Sequence, residues 1–234
     1  MIAYHNDPTI KTNILEQLRA HADADEIVQG VSWENGKGCA VGCTLHAYQH
    51  VLYEERFGIP QMLAYIEDCI FEGLPNAEAK GWPLRFMTAV KVGSDLSRVG
   101  WKFQHWLLTD PKVNPGIEHE TVREAVKQCA DVIWKLAAGE PFDEAARSAA
   151  WSAAWSARSA ARSAAWSAEA AWSAEAAWAA RSAAWAARSA AWSAEAAWSA
   201  EAAWSAEAAW AAARSAEAAY TAMSNKLIEL LEAA

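Results

Sequence analysis

The chain has 234 residues, a length that suits one or two domains. A formal net charge of −9 and a pI near 5.2 speak against generic nucleic-acid binding and against docking on an anionic membrane, since both need a basic face. The opening residues lack a basic stretch followed by an apolar one, and no run of about 18 apolar residues occurs, so neither a signal peptide nor a transmembrane helix is expected.

The four cysteines are Cys39, Cys43, Cys69 and Cys129. Cys39 and Cys43 stand i,i+4, a poor spacing for a disulfide. Reduced thiols in a soluble cytoplasmic protein are the expectation.

In chain order, Asp7-Pro8 reads as a helix start, with Asp7 capping and Pro8 in the first turn. Ile10, Ile14, Leu15 and Leu18 follow at helical spacing. Residues 23–29 extend this helix or form a short second one. Residues 30–38 (GVSWENGKG) form a loop. Residues 39–57 are expected as one helix closed by Gly58, with Pro60 beyond. Residues 60–71 form the next, with Met62, Leu63, Ile66, Cys69 and Ile70 on its apolar side. Short helices are expected at 76–80 and 83–90, and longer ones at 95–108 and 118–138. In the last, Val122, Val126, Cys129, Ile133 and Leu136 recur at a/d spacing. No strand is expected. Gly139 and Pro141 mark a boundary between a globular helical domain, 1–140, and a repeat region, 141–234.

The repeat region contains no glycine or proline after Asp143. Its core unit, Ser-Ala-Glu-Ala-Ala-Trp, ends on Trp172, Trp178, Trp198, Trp204 and Trp210, while arginine-bearing units end on Trp185 and Trp192. Alanine, glutamate and arginine favour helix, so the fold class expected is all-α throughout. Six residues advance a helix by about 600°, so successive indoles step through three faces. Such a helix needs helical neighbours on several sides. The expected partners are therefore protein: self-association into a homo-oligomer, or a partner held by Trp172, Trp178, Trp185, Trp192, Trp198 and Trp204, since tryptophan is favoured at interface hot spots.

The stretch that carries the most chemistry is 36–55. Cys39, Cys43, His46 and His50 follow a C-x3-C-x2-H-x3-H spacing on one face of the expected helix. A histidine pair at i,i+4 can share a metal ion. The four span about 16 Å of a single helix and cannot close one tetrahedron alone. Further ligands would come from residues such as Glu54, Asp68, His105 or His119. The competing reading is a buried polar–aromatic seam that continues into Tyr53 and Phe57, because cysteine is often buried without a role. No cofactor is expected; a divalent metal at these four residues is the alternative. Gly36-Lys37-Gly38 offers N–H groups for an anion at the helix start. No catalytic set is recognisable.

Residues 35–46 (NGKGCAVGCTLH) resemble an uncharacterised family of bacterial and phage-encoded proteins. The resemblance continues through 58–76 (GIPQMLAYIEDCIFEGLPN), 95–101 (DLSRVGW) and 118–138, and covers about the first 140 residues. It implies no particular activity. The repeats are similar in style to alanine-rich, aromatic-punctuated repeats of putative immunity proteins from bacterial toxin systems. Together these features lead to the expectation of a non-enzymatic binding or assembly protein that sequesters or neutralises a partner. The alternative is a small-molecule- or metal-binding protein centred on Cys39 to His50.

Overall fold

A computed structural model describes residues 1–110, 120–140 and 217–234. The expectations for Trp172, Trp178, Trp185, Trp192, Trp198, Trp204 and His119 lie outside the described residues. Within them the protein is all-α, with one two-stranded ribbon. No described helix is long and apolar enough to cross a membrane.

The chain divides into two compact units, 1–100 with 216–234, and 101–215. In the first, Asp7 caps α1 (Pro8–Asp23) by accepting from the Thr9 amide, with proline in the first turn as expected. The helix stops at Asp23, and Asp25 turns the chain with φ 55°. The loop expected at 30–38 contains a hairpin, β1 (Trp33–Glu34) against β2 (Lys37–Gly38). Its turn is Asn35-Gly36, both at positive φ, as the mirror-image hairpin turns require.

The single helix expected at 39–57 is instead two, α2 (Ala40–Leu45) and α3 (Leu52–Phe57). The break is at His46, which adopts a left-handed conformation with φ 52°. Side chains from outside α2 take the carbonyls that its last turn leaves without partners. Gln17 donates to Cys43 O and Thr44 O, and Arg56 donates to Leu45 O. Every residue of α2 is buried, as a helix made of small and apolar residues on all sides should be. Gly42 permits this: a Cβ there would lie 1.8 Å from Ser32 O. Gly58 ends α3 as expected, at φ 61°.

Next come α4 (Gln61–Gly73), α5 (Asn76–Ala79) and α6 (Trp82–Ala89). α2 packs against α1, α4 and α6, and α3 against α4. The core between them holds Tyr53, Leu63, Ile70, Phe71, Trp82 and Phe86, all fully buried. The last helix, α9 (Glu217–Glu232), packs on α4 and α6. It buries Tyr220, Met223, Leu227 and Leu231 at helical spacing. The Tyr220 ring occupies the space a side chain at Gly73 would need. Arg85 bonds Asn225, and Lys91 bonds Glu232 O.

α7 (Val99–Thr109) runs across the division of the chain at residue 100. In the second unit, the Trp106 indole donates to Asp110, and the His105 ring lies 5.0 Å from that of Trp134. α8 (Glu120–Ala138) buries Val126, Ala130, Ile133 and Ala137 on one stripe.

Candidate functional site

The four singled-out side chains diverge, the two histidines because the left-handed residue at the end of α2 turns the chain between them. Cys39 caps the start of α2, with its sulfur accepting from the Gly42 amide at 3.4 Å. Cys43 points elsewhere: its thiol donates to Gly38 O (3.3 Å) and Glu26 O (3.6 Å). Burial pushes that thiol up to about 11. It is a buried thiol hydrogen-bonded to the backbone, as is Cys39, whose own thiol donates to Ser32 O at 3.6 Å. The histidines also diverge. His46 meets His21 and Trp33, whereas His50 meets Tyr48, Tyr65 and Asp68. The one-face arrangement expected from the spacing is therefore corrected, because the backbone between His46 and His50 is not helical.

Around His50 a buried polar group forms on the side of α4. Asp68 is 6% exposed. Its Oδ2 accepts from Tyr48 (2.9 Å) and contacts His50 Nε2 (3.1 Å), while its Oδ1 has no hydrogen-bond partner. The His50 ring stacks on Tyr65 with centroids 4.1 Å apart. One turn along α4, Glu72 is oriented by the Gly30 amide, which donates to its carboxylate at 2.9 Å. The Cys39 sulfur and carboxylate oxygens of Asp68 and Glu72 all lie within 4.8 Å of one another. Burial, and then the charge of Asp68, push the Cys39 thiol far above its ordinary value. Nothing in this setting activates it as a nucleophile, which needs a lowered pKa. A bound cation would have the opposite influence, since a metal deprotonates a coordinating thiol outright.

Behind this group, Glu67 is wholly buried and burial raises its carboxyl well above the usual range. It accepts from Tyr53 at 2.6 Å, and the Trp82 indole donates to its backbone oxygen at 3.0 Å. These bonds pin α4 to α3 and α6.

The second cluster joins α1 to the end of α2. His21 Nε2 and His46 Nε2 are 2.9 Å apart, and His21 Nδ1 is 2.6 Å from Glu26 Oε2. Trp33 stacks on His46 with centroids 4.8 Å apart and planes 17° from parallel, and meets His21 edge-on. Burial and the neighbouring His21 and Arg56 lower the His46 pKa.

Of the further ligands expected, Asp68 joins Cys39 and His50. Glu54 caps α4 by accepting from the Gln61 amide, and His105 belongs to the second unit. The amides of Gly38 and Cys39 donate to Glu26 O and Val31 O, so residues 36–38 do not present them to an anion. Sequence reasoning missed Glu72, His21 and Trp33. The i,i+4 spacing of Asp68 and Glu72, which puts both on one face of α4, was a usable signal. His21 and Trp33 carried none, because only the fold brings them to His46. In comparison with known proteins, the chain matches no protein-family profile, no curated protein and no solved structure.

Proposed function

We propose that the first unit binds a divalent transition-metal ion through Cys39, Asp68 and Glu72, with His50 and Tyr48 orienting Asp68. The observation that carries this reading is the buried, unpartnered Oδ1 of Asp68 beside the Cys39 sulfur and the Glu72 carboxylate. Buried polar atoms rarely lack a partner, and a carboxylate oxygen without one is costly. A cation among these three groups would satisfy Asp68 and offset the mutual repulsion. One sulfur with carboxylate oxygens is a donor set for a borderline ion such as Zn2+. The bonds of Tyr48, His50 and Gly30 to the two carboxylates are the outer contacts that usually orient metal ligands.

The test is Co2+ titration of the full-length protein, read by the thiolate-to-cobalt charge-transfer absorption. About one equivalent should develop the band, Zn2+ should displace it, and Cys39→Ser or Asp68→Asn should abolish it. A titration with no such band, or a band that persists in Asp68→Asn, overturns the reading.

A second reading concerns the repeat, a segment for binding or assembly in a cytoplasmic homo-oligomer. It is supported by ten indoles at four- to eleven-residue spacing between Trp151 and Trp210, and by the burial of Tyr220, the last ring of that series. Light scattering on the dilute full-length protein tests it. Self-association lost on replacing Trp192, Trp198 and Trp204 together with alanine is the expected result; a monomer at all concentrations overturns it.

A further inference from the structure

We infer that His21 and His46 form a proton-operated latch: one hydrogen bond between the rings ties the segment after α2 to α1, and it opens when both rings are protonated. The two Nε2 atoms are 2.9 Å apart, within hydrogen-bond range. The ring centroids are 5.1 Å apart, so the two nitrogens lie nearly on the line that joins the rings. Such a bond holds one hydrogen, and one of its nitrogens must offer a lone pair. The Glu26 carboxylate lies 2.6 Å from the other nitrogen of His21 and accepts the Nδ1 proton. In the neutral pair, His21 Nε2 is therefore the acceptor and His46 Nε2–H the donor. One added proton leaves the contact whole, because one ring still has a lone pair to offer. A second sets N–H against N–H and like charge against like, and the bond cannot persist. The pair titrates as a unit in two steps, and only the second opens it.

The groups that act on His46 are His21 from α1, Arg56 from α3 and Glu26 from the loop after α1. Burial, then His21 and Arg56, hold His46 below its ordinary 6.5 against the pull of Glu26. Arg56 is fixed there by its bond to Leu45 O. Charged groups on the other elements packed around α2 face elsewhere. Lys37 of the ribbon acts on Asp25, Asp68 and Glu72 of α4 act on Cys39, and Arg85 of α6 bonds Asn225. The Cys43 thiol faces Glu26 but, pushed up to about 11, stays neutral. A lowered histidine gives stability that is present above 6.5 and lost as pH falls, so the latch is closed at neutral pH and opens on acidification. His46 is exposed, so solvent protons reach it. Trp33 stacks on its ring, and an indole face also attracts an imidazolium, so His46 keeps this stack when it leaves His21. The part set free is the segment 46–51, which begins at the left-handed end of α2.

The latch shares no residue with the Cys39 group, so the two succeed or fail independently. The test is imidazole and amide NMR of the full-length protein with isotope-labelled histidine, kept metal-free by a chelator and titrated from mildly alkaline to mildly acidic pH. A scalar coupling between the two Nε2 nuclei should be present at neutral pH, survive the first protonation step and vanish at the second. The amide signals of residues 46–51 should move with that second step. In His21→Asn the coupling should be absent, His46 should titrate closer to 6.5, and the amides should lose the step. Asparagine tolerates positive φ, so His46→Asn should keep the helix end and still lose the step. No coupling at neutral pH, amides at 46–51 that ignore the second step or keep it in His46→Asn, or a His46 midpoint unmoved by His21→Asn overturns the latch.

Discussion

His46 and His50 are four residues apart, yet they occupy unlike surroundings. His46 is exposed beside another imidazole, on a cluster built from α1 and the ribbon. His50 is buried against a carboxylate and two phenols, on a cluster built from α4. One backbone conformation separates them. Had the helix continued past Leu45, the i,i+4 rule would have put both rings on one face. The comparison teaches that a short motif acquires its chemistry from where the helix stops. That stop is set here by residues far away in sequence, Gln17 and Arg56.

The largest effect expected is the one that removes both clusters. Gly42→Ala puts a methyl group 1.8 Å from Ser32 O, a backbone atom that cannot yield alone. Overpacking of this kind costs about 3 kcal/mol or more. Chemical denaturation should show that loss, and the cobalt–thiolate band should fail to develop. A retained band would mean that the α2 contact does not position Cys39.

Tyr53→Phe acts on the α4 side alone. It removes the donor to Glu67, and leaving a buried acceptor short costs about 1–3 kcal/mol. The midpoint of denaturation should drop accordingly. Gln17→Ala acts on the other side. It frees the carbonyls of Cys43 and Thr44 at a cost of about 1 kcal/mol, similar to a lost cap. The midpoint of denaturation should fall by that amount and the cobalt–thiolate band should persist; loss of the band would collapse the distinction between the clusters.

The smallest effect belongs to a group that touches neither cluster. Asp95 is held down to about 2 by the Ser97 amide and side chain, with the terminal amine adding to this. A depressed carboxylate adds stability that is present above its unfolded value of 3.8 and is lost as pH falls toward about 2. Asp95 is exposed, so the contribution is small. The melting temperatures of Asp95→Asn and the parent should differ slightly at pH 5 and converge near pH 2. A difference that grows on acidification would reverse the sign.

Much of the scaffold was legible because its signals are local. Asp7-Pro8 starts α1, Gly58 closes α3, and Val126, Ile133 and Leu136 of the apolar spacing expected in α8 are buried. Asn35-Gly36 also announced a hairpin, although a loop was expected there. The break at His46 had no local mark, because histidine neither forbids helix nor demands the left-handed region. For the same reason the grouping of Cys39 with Asp68 and Glu72 could not be read from spacing. Cys39 stands 29 residues from Asp68 and 33 from Glu72, and only the packing of α2 on α4 closes the gap.

The return of the chain at α9 has an evolutionary consequence. The first unit is left at residue 100 and rejoined at 216, so the repeats sit inside an insertion rather than on a free end. Near-identical six-residue units are prone to unequal exchange at the gene level, which adds or deletes whole copies. A change in copy number leaves the first unit whole only where Tyr220 and the helix behind it still find their place against Gly73. The reach of the repeats is thus a property that selection can adjust without redesigning the unit that carries them.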